Sequence, residues 1–502
     1  MNLHEALYNR KGDARALIEP DGKAWTYAAL DAATGQMAAA LAGLGVGRGD
    51  RVSFLIEKSP QVVVLAHACL RLGAILHPLN TSYTDAEVSG LLGDAEPRVL
   101  VVAPQASGRF QAVAGKAGAT LATLSEQGAG SLGEAAAARP ALTGVAAVAA
   151  DDVAAILYTS GTTGRPKGAM ITHGNLIESA RALGQVWKMT AADVLYHALP
   201  VYHAHGLLTA LNTAMVAGAS VLFHPRFEAT AAVAALPRAS VIMAVPTIYA
   251  RLLEEPELKV ATRNLRLVIS GSAPLPLEVG RRFKDATGLT IRERYGSTEA
   301  AIITAMPLDV EGGEGSVGMA LPGIEVRLRN EDGRRAATGI GVLETRGHNV
   351  FRGYWRNADA DVAAFPEPGW FDTGDVAEID GSGLVRLLGR NKDLIISGGL
   401  NVYPMEVETV LDTLPGVACS AVFAAPHPDF GEAVVAAVEM RNDTPFDERG
   451  IIAAARERLA PYKTPKRVIV TDEIPRNRMG KVEKNKLRDQ WRELFTADAG
   501  KR

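Results

Sequence analysis

Eleven consecutive residues, Tyr158 to Gly168 (Tyr-Thr-Ser-Gly-Thr-Thr-Gly-Arg-Pro-Lys-Gly), gather hydroxyls, glycines and two cations directly after Val153 to Leu157, an apolar run of strand length. Glycine lets a backbone approach an anion closely, and the hydroxyls of Ser160, Thr162 and Thr163 suit phosphate oxygens. Arg165 and Lys167 supply positive charge. The pattern predicts a loop that wraps a polyphosphate. It is not the P-loop, Gly, four residues, Gly-Lys-Ser/Thr: five places after Gly161 stands Pro166, and Lys167 is followed by Gly168. Taken alone, the run also fits a solvated surface turn.

Five further motifs follow it in order. They are Gly271-Ser272-Ala273-Pro274, Tyr295-Gly296-Ser297-Thr298-Glu299, Thr373-Gly374-Asp375, Gly389-Arg390-Asn391-Lys392-Asp393 and Pro475-Arg476-Asn477-Arg478-Met479-Gly480-Lys481. The set, in this order, resembles the adenylate-forming superfamily of acyl-CoA synthetases, luciferases and peptide-synthetase adenylation domains. The resemblance implies an enzyme that activates a carboxylic acid with ATP and then transfers it to a thiol. Two anions must meet in such a site, so cations and Mg²⁺ are needed against their repulsion.

By that resemblance, Thr159, Ser160, Gly161, Thr162, Thr163, Gly164 and Lys167 would hold the β- and γ-phosphates. Thr298 would touch phosphate, and Glu299 would hold the metal, as a carboxylate beside phosphates and water suits Mg²⁺. Tyr295 would lie along adenine opposite the small-residue shelf Gly271, Ser272, Ala273 and Pro274, with Glu293, Gly296 and Ser297 nearby. Asp375 and Arg390 would address the ribose. Lys481 would bridge the attacking carboxylate and the phosphate in the first half-reaction. The domain carrying it would then swing about Lys392 and present Ser397, Gly398 and Gly399 to a coenzyme A channel. A tight β-turn fits Ser397 to Gly399 equally well. The context of Lys481 also resembles that of bacterial acyl-CoA synthetases modified by a lysine acetyltransferase, which would remove the needed charge.

Arg294 carries the clue to the acid. A guanidinium beside an apolar acyl pocket is costly to bury unless paired, and a second substrate carboxylate would pair it in two-pronged fashion. Glu293-Arg294-Tyr295-Gly296 together with Tyr202-His203-Ala204-His205-Gly206 resembles malonyl-CoA synthetases. The implied reaction joins malonate to coenzyme A through malonyl-AMP, releasing AMP and pyrophosphate. His203, His205, Ser270 and Ser272 would assist at the acid. Two readings stay open beside this one: a salt bridge from Arg294 to Glu293 or another acid, and a metal pair at His203 and His205. Ser297 and the small, apolar run Ala300 to Thr304 leave methylmalonate as an alternative.

The elements that must position these residues are legible in part. Leu30, Ala33, Met37, Leu41 and Leu44 recur at helical spacing, and strand-like runs stand at Val52 to Leu55, Val99 to Val102, Val221 to Phe223, Val241 to Ala244 and Leu267 to Ile269. Such alternation predicts layered α/β subdomains with largely parallel sheets. Glycine turns after residue 310 suggest a small β-barrel-like subdomain. The expected architecture is a large N-terminal domain over 1–391, hinged to a small α+β C-terminal domain over 392–502. Ala106 to Ala150 is Ala/Gly-rich and reads as covering without chemistry.

The 502 residues exceed one simple core, and a net charge of -3 gives no reason to expect nucleic acid or an anionic membrane as partner. From Arg456 onward, however, 14 Lys/Arg stand against 7 Asp/Glu, which suits a lobe handling ATP and coenzyme A. Cys69 and Cys419 lack metal-ligand spacing and fit a reducing cytoplasm. The most apolar stretch, Val62 to Leu79, is interrupted by His67, Arg71 and His77 and falls short of a membrane span.

Overall fold

Short runs of β-branched residues between glycine or proline punctuation form strands buried on both faces: Val99–Val102 and Val241–Ala244 are buried at every position. Strands of this kind belong to parallel sheets covered by helices on each side. The computed structural model describes residues 1–8, 12–159, 166–310, 313–441, 444–476 and 481–495.

One sheet has nine strands, in the order Met319–Ala320, Ile302–Ala305, Arg292–Gly296, Leu267–Ser270, Val241–Ala244, Val194–His197, Ser220–Phe223, Arg15–Ile18 and Ala24–Thr26. It is parallel from Arg292–Gly296 to Arg15–Ile18, with antiparallel edges. A second has six, in the order Thr120–Thr123, Val99–Val102, Arg51–Leu55, Ile75–Pro78, Val153–Thr159 and Lys167–Thr172. Strand order reverses at Val194–His197 in the first sheet and at Arg51–Leu55 in the second. The carboxyl ends of strands at such reversals open a crevice where ligands bind.

The Ala/Gly-rich region, read from the sequence as covering without chemistry, carries regular structure. It contains the helices Ser107–Lys116 and Ser131–Ala137 and the edge strand Thr120–Thr123. Alanine is the best helix former, and an edge strand has only one neighbour to satisfy, so weak hydrophobic patterning suffices. The apolar stretch Val62 to Leu79 is the helix Pro60–Leu72 and the strand Ile75–Pro78, both inside the main core. No helix among the described residues is long and apolar enough to cross a membrane.

The barrel-like subdomain is a five-stranded antiparallel sheet with open edges, ordered Arg335–Ala336, Ile324–Arg329, Gly339–Gly347, Phe371–Ile379 and Val385–Arg390. Glu344 is fully buried there and is held by Arg327 at 2.7 Å, Arg329 at 2.9 Å and Arg335 at 3.0 Å. Arg329 also pairs with Asp372. Three guanidiniums thereby offset one desolvated carboxylate, and Arg329 braces the start of the strand Phe371–Ile379, which carries the Thr373-Gly374-Asp375 motif.

The main core extends to Val385, whereas residues from Ile395 onward form separate clusters on the two faces of their own sheet. That sheet runs Leu400–Val402, Ile395–Ser397, Gly431–Met440 and Val417–His427, with Arg467–Val470 parallel to Gly431–Met440.

Candidate active site

The glycine-rich loop closes an antiparallel hairpin of Val153–Thr159 and Lys167–Thr172, in which Thr159 and Lys167 are partners. Ser160, Gly161, Thr162, Thr163 and Gly164 lie outside the described residues. The hairpin delivers Thr159 and Lys167 to a cleft of about 1240 Å³ that Thr298, Glu299, Arg390, Lys392 and Lys481 also line.

At this end the Glu299 carboxylate is oriented by two donors. Thr159 Oγ1 and Tyr354 Oη both donate to its Oε1, each at 3.2 Å. Lys167 Nζ stands 5.2 Å from the centre of the Tyr354 ring. Backbone bonds fix the same corner, with Phe351 N donating to the Glu299 carbonyl at 2.7 Å. One oriented carboxylate facing a phosphate-sized space suits a hard dication that takes its other ligands from phosphates and water. No group of three or more His, Cys, Asp or Glu among the described residues forms an all-protein metal cage.

The next corner is built across a sheet register. Asp375 and Arg390 are cross-strand partners, and Arg390 Nε stands 2.8 Å from Asp375 Oδ1. Tyr295 Oη donates to Asp375 Oδ2 at 2.5 Å. Burial raises the Asp375 carboxyl pKa, while Arg390, the Tyr295 hydrogen bond and Lys481 oppose the rise. Tyr295 and Asp375 do not themselves border the cleft; Gly296, Thr373, Gly374 and Arg390 do.

Arg294 comes from the strand Arg292–Gly296 and is 6% exposed. Its Nη2 donates to Ser272 Oγ at 3.5 Å, its Nε has no partner, and among the described residues it forms no ion pair. Burial pulls its pKa down to about 10. Glu293 is not its counter-charge. That carboxylate accepts from Leu275 N at 3.3 Å, and burial raises it to about 7 despite that bond. Ser272 adopts a left-handed backbone (φ 72), and its hydroxyl also stands 3.0 Å from His205 Nδ1. His203 Nδ1 accepts from His205 N at 3.3 Å. Burial first, then Arg294, lowers His203 to about 4 and His205 well below its ordinary value. Both rings are therefore neutral near pH 7. His205 Nε2 is buried without a partner.

The π-helical turn His205–Leu211 begins at this point, a distortion frequent at functional sites. His203, His205, Ser272 and Arg294 all line the cleft, so an uncompensated cation and two neutral imidazoles converge on one wall. The lining also includes Leu176, Ala180 and Leu183, spaced along one face of the helix His173–Val186. Thr172 and Asn175 cap that helix reciprocally, and the Asn175 amide ties it to the carbonyls of His348 and Val350. Such an arrangement can hold a small anion against a partly apolar wall.

Other expected residues fall elsewhere. Ser270 is fully buried at the end of its strand with an unpartnered hydroxyl and does not border the cleft. Gly271, Ala273 and Pro274 do not border it either. Ser397, Gly398 and Gly399 stand apart from the cleft at the turn between Ile395–Ser397 and Leu400–Val402, where Ser397 pairs with Leu400. The glycines take φ 60 and φ 80, as a two-residue hairpin turn requires.

Lys481 reaches the cleft because the bridge between Arg476 and Val482 and the bond from Glu483 N to the Pro475 carbonyl bring its loop ends together. Desolvation, then Arg390, lowers its ammonium pKa, and Asp375 opposes the fall. Lys392 is exposed in a single turn, Asn391–Asp393, and the adjacent Asp393 pairs with Arg488 at 2.8 Å. Sequence reasoning missed Tyr354. An aromatic residue between Gly353 and Trp355 carries no spacing that points to a distant glutamate.

Residues 4–355 match the sequence model of the AMP-binding enzyme family, and residues 406–481 match that of the AMP-binding enzyme C-terminal domain. A feruloyl-CoA synthase of Amycolatopsis sp is 35% identical, over 94% of this chain and 95% of its own. A mitochondrial malonate–CoA ligase of Bos taurus is 34% identical, over 97% of this chain and 90% of its own. Among solved structures, ATP-bound MatB from Rhodopseudomonas palustris has a TM-score of 0.95 at 43% identity, over 98% of this chain and 99% of that one.

Proposed function

The chain belongs to the AMP-binding enzyme family, and on that footing we propose that the acid it joins to coenzyme A is malonate. It is a CoA ligase working through an adenylate, with ATP and coenzyme A as substrates. Similarity to relatives does not choose the acid, because feruloyl and malonate ligases stand at 35% and 34% identity. The observation that favours a diacid is the buried guanidinium of Arg294, which has no acidic partner among the described residues. A distal carboxylate would supply that charge in two-pronged geometry.

In the first step one malonate oxygen attacks the α-phosphorus of ATP, the bond to the bridging oxygen breaks, and pyrophosphate departs. Arg294 anchors the far carboxylate, with Ser272 and the neutral His203 and His205 completing its shell. Lys481 steadies the negative charge shared between the near carboxylate and the α-phosphate. Thr159, Lys167 and Thr298 hold the phosphate tail, joined by the hydroxyls of Ser160, Thr162 and Thr163. Glu299 would hold a Mg²⁺ ion that neutralises phosphate charge when bound. Arg390, held by its ion pair with Asp375, is assigned to the ribose.

In the second step the sulfur of coenzyme A attacks the acyl carbon, AMP leaves through its phosphate oxygen, and the thiol proton passes to water. We assign residues 392–502 to a domain that turns about Lys392 for this step, bringing Ser397 to Gly399 to the thiol. Acetylation of the Lys481 amine would stop the first step. The two free thiols, Cys69 and Cys419, fit a cytoplasmic enzyme.

A second reading, methylmalonate, is favoured by the small side chains of Ser297 and Ala301 on the cleft wall. Discrimination at one methyl group is worth only roughly 1 to 3 kcal/mol.

The test is pyrophosphate release with malonate, methylmalonate, succinate, acetate and octanoate, each with and without coenzyme A. Malonate or methylmalonate is expected to be the best acid by kcat/KM. Preference for acetate or octanoate would remove the diacid assignment. Absence of acid-dependent release would remove the reaction.

A further inference from the structure

Lys58 is a second buried basic side chain, 7% exposed, whose charged form burial disfavours and to which the reaction just described gives no task. It follows the strand Arg51–Leu55, where strand order reverses in the six-stranded sheet. Its side chain crosses to the other sheet, at the equivalent reversal. There Nζ stands 2.8 Å from His197 Nδ1, 3.0 Å from the His197 carbonyl and 4.4 Å from the centre of the Phe223 ring. Among the described residues it forms no ion pair. His197 and Phe223 are the last residues of adjacent parallel strands, and their rings stack 5.5 Å apart.

Hydrogen-bond chemistry fixes the direction of this contact. His197 Nε2 lies 3.0 Å from the Gly206 carbonyl. A carbonyl only accepts, so Nε2 carries the ring proton, Nδ1 accepts, and Lys58 donates. Gly206 directly follows His205, whose ring meets Ser272 Oγ at 3.0 Å, the hydroxyl that Arg294 also contacts. A chain of contacts therefore runs from one sheet, through the carboxyl end of the other, to the guanidinium. A buried basic side chain with no acid partner weakens the fold relative to an apolar side chain of the same size. Its presence points to a role in geometry rather than in stability.

We propose that Lys58 is a positioning residue: acting through His197, it fixes the Gly206 carbonyl and thereby holds His205, Ser272 and Arg294 at the spacing a distal carboxylate requires. The proposal rests on the diacid reading for its kinetic consequence, but its structural consequence stands apart from it.

The test uses the full-length protein carrying Lys58→Met. With malonate, KM is expected to rise about tenfold or more, while kcat and the KM for ATP stay within about twofold. Propionate has no distal carboxylate, so its KM should not change. Equal losses with malonate and propionate, or a fall in thermal stability alone, would show an ordinary structural pair and overturn the proposal. If the unmodified enzyme ignores malonate, the diacid reading fails, and a crystal structure of the variant decides the positioning claim. A displaced Gly206 carbonyl and His205 ring support it; an unmoved 198–206 segment overturns it. Should Lys58→Met not fold, His197→Leu breaks the same link and is judged by the same measurements.

Discussion

Gly271 lies directly against the Arg294 guanidinium: a Cβ at this position would stand 2.4 Å from Arg294 Nε and 2.6 Å from Cζ. The glycine leaves the space the buried arginine occupies, so its place in the site is beneath the acid anchor. Gly271→Ala must therefore push Arg294 aside. Malonate KM should rise by about tenfold or more, with the KM for ATP little changed. A larger effect on ATP than on malonate would return Gly271 to the adenine side.

Tyr295 and Asp375, neither of which borders the cleft, are joined by a 2.5 Å hydrogen bond. Tyr295→Phe removes a donor to a buried carboxylate, a change worth about 1.5 to 3 kcal/mol. Urea denaturation should show a loss in that range, and ATP affinity by calorimetry should weaken as the Asp375 carboxylate and Arg390 rearrange. An unchanged midpoint and affinity would mean that the hydroxyl is idle.

Lys481→Ala should reduce adenylate formation by about a hundredfold or more, since an interaction made mainly in the transition state is lost. Thioester formation from supplied malonyl-AMP should survive. Equal losses in both half-reactions would contradict the division of labour between the two conformations.

Buried histidines give the protein an acid-sensitive stability. His4 is lowered to about 2, His67 and His77 to about 3, and His173 and His203 to about 4, in each case chiefly by burial. Groups with depressed folded-state values stabilise the fold above the unfolded pKa near 6.5 and lose that contribution as pH falls below it, by about 1.4 kcal/mol per site per pH unit. Glu293 and Asp412, raised to about 7, act in the opposite sense but are fewer. The thermal midpoint should fall steeply from pH 6.5 toward pH 5 when followed by circular dichroism. A flat profile over that interval would contradict neutral burial of these rings.

The order of the motifs, the alternation of buried strands with helices and the interest of Arg294 were legible in the sequence, because each rests on local spacing or on the chemistry of a single side chain; that Arg294 has no acid partner among the described residues was not. What was not legible depends on sheets meeting in space. Lys58 and His197 are 139 positions apart and touch only because two reversal points face each other. Tyr354 reaches Glu299 through the fold and not through any motif. Gly271 reads as part of an adenine shelf until the arginine packed against it is seen. Ser270 looked like a substrate contact from its place before the Gly-Ser-Ala-Pro run, yet the strand end keeps it buried.

The pairing of the Arg294 guanidinium with the far carboxylate of a diacid underlies the proposed specificity. Arg294→Ala, assayed by pyrophosphate release with malonate and with propionate, tests it directly. The expected result is a loss of kcat/KM of about a hundredfold or more with malonate, and a small loss or a gain with propionate, because only malonate loses a charge-assisted contact. Equal losses with the two acids would show that Arg294 serves the fold and not the substrate.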